Sequence, residues 1–488
     1  MNELAKKLQP FIVGSPHIEI LKDDFSHQIV DVKSGQVYGF VHLNEGRLIA
    51  YEISEPEEVE DEQIPFNTPP NVDRIMEVAQ LFIDTFINRD VHFSMLNEWN
   101  DNHFMVTYEE RDPKLDLLIP HTGCTLHFTR DGILTNADIG QMDFQLLYPE
   151  ITVSSEDAKQ LLRKANYLQL SVHVPDLVEM ETNPVVELIY RSNHNIMGVG
   201  ADGNIETVTE FMNTEELSIE KIQAVNSTSS IEEMLGVNKK LEKNTGEDGS
   251  VIWIDPTVYM EEDEEAEPLI SIFSDETGHF SFSNLPFEKM DDTPSLPMGK
   301  LTEKALEFLE LVEGNIHDKY VLEEPIKTVD NEELFDEEER DEAFENELDA
   351  EDEEDMAHDY LDSEPTQMFT FYRQHGEFRM ESVEAHVHVG IYTGLIRECS
   401  VTRLSSSQTA NLEKLNPIPT ITLQEAEERF FNELEMKLTR CVKDFGDPNI
   451  YTLSYLVDFP KTGGHIEKIN AHTGEVSYIE TGIIKERH

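Results

Sequence analysis

Three residues come closest to metal chemistry: Glu384, His386 and His388, which alternate with Val383, Ala385, Val387 and Val389. A period of two is that of a strand, and it turns the carboxylate and both imidazoles to one face and the apolar side chains to the other. Neutral imidazoles with a carboxylate suit zinc or another transition metal. The same pattern also describes a solvated outer face over a buried inner one, and both readings stay open. Aligning Gly394 with Gly132 sets Leu126 opposite His388 and Cys124 opposite His386, which favours the solvated face. His121, Cys124 and His127 are spaced by threes. A strand scatters such residues over both faces, so their spacing reads as coincidence. Gly198, Gly200 and Gly203 form a literal GxGxxG. A dinucleotide loop must open a helix whose N-terminus holds the pyrophosphate. Here Asn204, Ile205, Glu206 and Val208 read as a strand, so no cofactor is expected. The chain has no GxSxG elbow, Walker loop, HExxH or EF-hand loop, and no catalytic residue is assigned.

The elements that must position these residues show themselves as a repeat. Six segments alternate apolar residues, turn at a glycine and alternate again, around Gly35, Gly132, Gly203, Gly278, Gly394 and Gly474. Glycine after Asp, Ser or Thr between such runs reads as a tight hairpin, because glycine tolerates positive φ. The first three glycines are 97 and 71 residues apart and the last three 116 and 80. The long interval comes first each time, so the chain reads as two halves.

Helix signals fall at matching places. Residues 71–90 carry Val72, Ile75, Met76, Ala79, Phe82, Ile83 and Phe86 on one helical face, and a second helix starting at Thr302 carries Ala305, Phe308, Leu309 and Val312. Ser154 with Asp157 and Thr422 with Glu425 predict capping boxes before two further amphipathic stretches. Weaker helices are expected at Leu4–Ile12 and Ser230–Leu241. Six units follow: 1–66, 67–145, 146–210, 211–290, 291–410 and 411–488. Each is an α+β unit, one helix packed on a small antiparallel sheet.

Charge is the compositional outlier, with 100 Asp+Glu against 37 Lys+Arg and a net charge of −63. Asp330–Glu364 holds 20 acids and one base, Arg340. It reads as a disordered acidic insert, with Ala343–Leu348 as an alternative short amphipathic element. Such a chain repels nucleic acid and anionic lipid and attracts basic proteins and cations. Cys124, Cys399 and Cys441 are too scattered for a disulfide framework. Met1–Ile20 lacks the pattern of a secretory signal and no run is long enough to span a bilayer. A reducing cytoplasm is the expected compartment.

Thr420, Ile421, Thr422, Glu425 and Ala426, then the aromatic stretch Tyr451–Phe459, then Thr473, Gly474, Glu475 and Val476, resemble PepSY-type domains. The tandem arrangement resembles the YcdB/YcdC repeat proteins of Gram-positive bacteria. The match covers 418–480 and, less closely, 150–208. It implies PepSY/cystatin-like units in two pseudo-equivalent halves, a binding or inhibitory role, and a protease-like partner. The expectation is a non-enzymatic cytoplasmic binding protein with an acidic surface, whose partner is a basic or protease-like protein. Two alternatives stand beside it: an enzyme with a site in a cleft between the halves, and low-affinity binding of divalent cations by the carboxylate runs.

Overall fold

The computed structural model describes residues 2–22, 27–44, 46–53, 70–100, 103–140, 143–175, 185–214, 218–246, 249–257, 268–287, 294–323, 364–460, 464–480 and 482–484. The N-terminal alternation folds as two meanders that share one sheet. Helix α1 (Asn2–Leu8) leads into β1 (Ile18–Lys22), β2 (His27–Asp31), β3 (Val37–Asn44) and β4 (Arg47–Ile53). Helix α2 (Val72–Phe86) leads into β5 (Val91–Asn100), β6 (His103–Arg111), β7 (Leu118–Thr129) and β8 (Leu134–Ile139). The sheet order is β1-β2-β3-β4-β8-β7-β6-β5. Asn71 caps α2 by accepting the Arg74 N–H at 3.2 Å. Ile75, Val78, Ala79, Phe82 and Ile83 then recur at helical spacing and are buried. The Phe82 ring meets Phe11 at 5.3 Å and Phe86 at 4.8 Å inside this first core.

The chain continues through β9 (Gln145–Leu146), α3 (Ser155–Lys164), β10 (Leu168–His173), β11 (Glu187–Ser192), β12 (Ile196–Gly200), β13 (Ile205–Thr207) and α4 (Val208–Phe211). Next come β14 (Ile219–Lys221), α5 (Ile231–Met234), β15 (Glu242–Thr245), β16 (Val251–Ile254), β17 (Ile270–Ser274) and β18 (Gly278–Ser283). Helix α6 (Met298–Glu313) and α7 (Ile316–Lys319) precede β19 (Tyr320–Glu323), β20 (Thr366–His375), β21 (Phe378–Gly390) and β22 (Ile396–Thr402). These strands run β15-β16-β17-β18-β22-β21-β20-β19, the order of the first sheet, with β14 added outside β19. Leu301, Ala305, Phe308 and Leu309 of α6 are buried in this core, which corresponds to that of α2.

Helices α8 (Ser406–Leu412) and α9 (Leu423–Glu433) and strands β23 (Glu435–Val442), β24 (Ile450–Asp458), β25 (Gly464–Asn470) and β26 (Val476–Glu480) complete the described chain. They interlock with residues far away in sequence. Strand β11 pairs with β25, and β12 with β24, both antiparallel. Helices α3 and α9 bury Ala158, Leu162, Ala426 and Phe430 in one shared core. Both helices start at the expected capping boxes, Ser154–Asp157 and Thr422–Glu425.

This overturns the expected α+β architecture of one helix per small self-contained sheet in two halves. Among the described residues strand outweighs helix, 44% to 21%, and strands from different units join into sheets of 8, 13 and 5 strands. The reason is physical. A meander of three or four strands leaves unpaired N–H and C=O groups along both edges, and pairing edge with edge satisfies them without water. Strand β4 therefore pairs with β8, and β18 with β22.

Helix α6 begins at Met298 rather than Thr302, with Pro297 at its N-cap, where the missing N–H costs nothing. The helix expected over Ser230–Leu241 shrinks to α5, with Ser230 as its cap. All six glycines lie at antiparallel hairpins, and five have φ between +70° and +89°. Gly278 alone does not, because it is already the first residue of β18. Residues 330–363 of the acidic insert, with the alternative element Ala343–Leu348, lie outside the described residues. No described helix is long and apolar enough to cross a membrane.

Candidate functional site

Strand β21 is the longest of the described strands, and it serves two cores. Met380 and Val383 belong to the interlocked core, and Ala385, Val387 and Val389 to the core under α6. Ser382, between Met380 and Val383, bends the strand with φ +58°. Just before the bend, β21 runs parallel to β10 with Val172 opposite Met380. This seam is where side chains of chemical interest converge.

At the seam, Lys468 Nζ lies 2.7 Å from His173 Nε2, and His173 Nδ1 lies 3.4 Å from Glu381 Oε2. Arg191 Nε lies 2.7 Å from Glu381 Oε1. Burial pushes the Glu381 carboxyl up, but the His173 hydrogen bond and the Arg191 charge outweigh it and hold it below its ordinary value. Beside this chain of contacts lies a cavity of about 160 Å³, lined by Gln169, Ser171, Arg191, His194, Asn195 and Arg379 among others. Arg379 Nη2 donates to Glu384 Oε1 at 2.9 Å, and its guanidinium sits 3.4 Å from the centre of the Tyr372 ring. Its Nε is buried with no partner. An unmatched buried donor costs about 1–3 kcal/mol. His194 is held below its ordinary value by desolvation and by the Arg191 and Arg379 charges, with Glu381 opposing. Ser171 Oγ is committed to the Arg379 carbonyl at 3.0 Å.

The three residues expected to ligate a metal lie just beyond, on the outer face of β21. Glu384 Oε2 is 3.6 Å from His386 Nε2. His386 Nδ1 lies 3.3 Å from Thr370 Oγ1, and His388 Nδ1 lies 3.5 Å from Thr366 Oγ1. Glu384 is thus joined both to His386 and to Arg379 of the cavity, while His388 turns to a hydroxyl on β20. Among the described residues, no three of His, Cys, Asp and Glu are grouped to hold a metal ion. The Glu384 hydrogen bond raises His386, whereas desolvation lowers His388.

The glycine alignment is off by one residue. Gly132 N bonds Thr129 O, three residues back, but Gly394 N bonds Gly390 O, four back. The longer turn moves every side chain to the other face in the comparison. His388 matches His127, not Leu126, and His386 matches Thr125. His127 pairs across the sheet with Met105 and His388 with Met368. Cys124 and Leu126 are core residues. Burial raises the Cys124 thiol to about 12, and Cys441 to about 11, so neither is a ready thiolate. Gly203 turns the hairpin from β12 to β13, and the glycine pattern opens no helix.

Sequence reasoning missed Arg191 and Arg379. Their signal was present: in a chain with so few bases, both fall in strand-like runs, where a guanidinium needs built partners.

No family model matches the sequence, and no curated protein matches it. Among solved structures, the Bacillus megaterium YpeB C-terminal domain is similar over 42% of this chain and 97% of its own length, with 17% identity and a TM-score of 0.26.

Proposed function

We propose that this chain is a binding protein that acts without catalysing a reaction, and that it engages its partner at the seam cavity. One observation carries this reading: two guanidiniums and several amides line a concave site where two cores meet. Arginine and amide groups hold and orient ligands through fixed hydrogen bonds. Polar groups converging in such a cavity are the usual mark of a ligand site. The competing reading, an enzyme at the same seam with Ser171 as nucleophile, is disfavoured because that hydroxyl donates to the Arg379 carbonyl. The net charge of −63 favours a basic protein as partner, drawn in by long-range attraction, and disfavours nucleic acid and anionic membranes.

The test is comparative capture. Wild type and an Arg191→Ala/Arg379→Ala double variant are immobilised and exposed to native extract over a salt series. A protein retained by wild type and released by the variant supports the reading. Identical captured sets at every ionic strength would overturn it, provided both proteins unfold at similar temperatures.

A further inference from the structure

We infer that the seam cavity is an oxyanion site, which takes a carboxylate or phosphate group between Arg191 and Arg379. The inference rests on the reading of the cavity as a binding site and names the chemistry it recognises.

A second arginine in the molecule shows a guanidinium fork closed by an internal carboxylate. The first core meets the interlocked core at a second seam, where β7 lies beside β23, and that seam is closed by its own side chains. Arg440 there donates to Asp112 Oδ2 through Nε at 2.8 Å and Nη2 at 2.5 Å, and through Nη1 to the carbonyls of Leu147 and Tyr451. Its guanidinium lies 4.5 Å from the Tyr148 ring centre, and both it and Asp112 are fully buried. An internal carboxylate thus fills the fork of Arg440. At the β10–β21 seam Arg379 also stacks on a tyrosine, Tyr372, but its fork does not close. Arg379 gives Nη2 to Glu384 and leaves Nε buried and unmatched beside open space. Arg379 thus has one carboxylate partner, Glu384 on Nη2, and none on Nε.

The remaining lining fits the same ligand. Arg379 is oriented by its hydrogen bond to Glu384, and Arg191 lies in ion-pair contact with Glu381, whose Oε1 has no hydrogen-bond partner. Gln169, Asn193 and Asn195 add amide donors. A space of about 160 Å³ equals roughly five waters at ~30 Å³ each, enough for a phosphate or a short carboxylate with some of its hydration.

Inorganic phosphate and succinate are the probes, each titrated into the full-length protein by calorimetry, with sodium chloride as the ionic-strength control. The His194 ring proton, assigned with His194→Gln, is followed by NMR in the same titrations. Arg191, Arg379 and Glu381 are the charged groups facing that ring. One equivalent of anion should bind and raise the His194 midpoint, because the bound charge offsets both arginines. Arg379→Lys, which keeps charge but loses the planar fork, should weaken binding about tenfold or more. Tighter phosphate binding assigns a phosphorylated ligand, and tighter succinate binding a carboxylate. The inference fails if neither anion moves His194 beyond the chloride control, or if Arg379→Lys binds as wild type does. Should that happen while partner capture still depends on Arg191 and Arg379, the binding function stands and only the oxyanion assignment falls. If the anion binds but no captured protein depends on the two arginines, the oxyanion site stands and the protein-partner reading falls.

Discussion

His121 and Ser382 occupy the same position in β7 and β21, the matched long strands of two sheets with one strand order, and both have positive φ, +62° and +58°. Each lies six residues before an outward histidine, His127 or His388. Each bend lets one strand leave its own core and touch the interlocked one: Tyr451 Oη donates to Pro120 O, and Ser171 Oγ to Arg379 O. A non-glycine residue in this region carries a cost of roughly 1–2 kcal/mol. Ser382→Gly should therefore be neutral or stabilising, by up to about 1 kcal/mol, and Ser382→Val should destabilise by about 1–3 kcal/mol. Denaturant unfolding followed at the two tryptophans measures both. A Val variant as stable as wild type would mean that the bend is not held by the surrounding cores.

Arg440 and Asp112 form the fully buried ion pair that closes the first seam. Removing one partner leaves an uncompensated buried charge, which costs about 3–5 kcal/mol. Arg440→Met alone and Asp112→Leu alone should each destabilise by that amount, and the double variant by clearly less than their sum. Asp112 has its pKa pushed up by burial, but backbone N–H groups of Lys114 and Leu115 and the Arg440 contact prevail and lower it. Its folded value thus lies below its unfolded one. The stabilisation is complete above the ordinary carboxylate value and is lost as pH falls through the lowered one. Acid titration of wild type against the double variant checks this: wild type should lose relative stability at the acid end, and parallel curves would contradict it.

The outer face of β21 sets two histidines against each other. Glu384 raises His386, whereas desolvation lowers His388, with Glu398 opposing. NMR titration should find His386 above the ordinary imidazole value and His388 below it. Glu384→Gln should bring His386 down and leave His388 almost unmoved. The linkage follows in sign: the His386 contact stabilises fully below the unfolded value and is lost as pH rises through the raised one. Equal midpoints for both histidines would remove this account of the face.

What the sequence could show, and what it could not, divides along the range of the interactions. Hairpin glycines, the Ser154–Asp157 and Thr422–Glu425 boxes and the stripe of Phe82 and Ile83 are decided within a few residues, and they are legible. The pairing of β11 with β25 joins residues nearly 280 apart, and nothing in either strand names its partner. The turn at Gly394 is one residue longer than that at Gly132, a difference that apolar alternation does not register but that decides which face His388 takes. The cavity arises only where β10 meets β21, so its residues carry no common motif. Glu384 was found because it shares a strand with two histidines. Arg379, five residues earlier and bonded to it, was not, because the bend at Ser382 lies between them.

The two matched sheets also have matched edges, and each is covered by chain that follows an interlocked unit. Strand β14, after β13 and α4, pairs with β19. Residues 482–484, after β26, lie along β5: Glu98 N donates to Gly482 O at 2.8 Å and Ile484 N to Leu96 O at 2.9 Å. An exposed strand edge is a template for pairing with another chain. Deleting residues 481–488 should therefore uncover β5. The Glu98 amide should lose protection in hydrogen exchange, while β6 and β7 amides keep theirs, and self-association should rise with concentration in sedimentation. Gly482→Ala tests the same contact with the chain intact. Gly482 has φ +66°, and an added Cβ would press on Asn97 Oδ1 and the Glu98 carbonyl, so this variant should loosen the strip in the same direction. If Glu98 stays equally protected in both variants, the strip does not cover the edge in solution, and the parallel with β14 fails at that point.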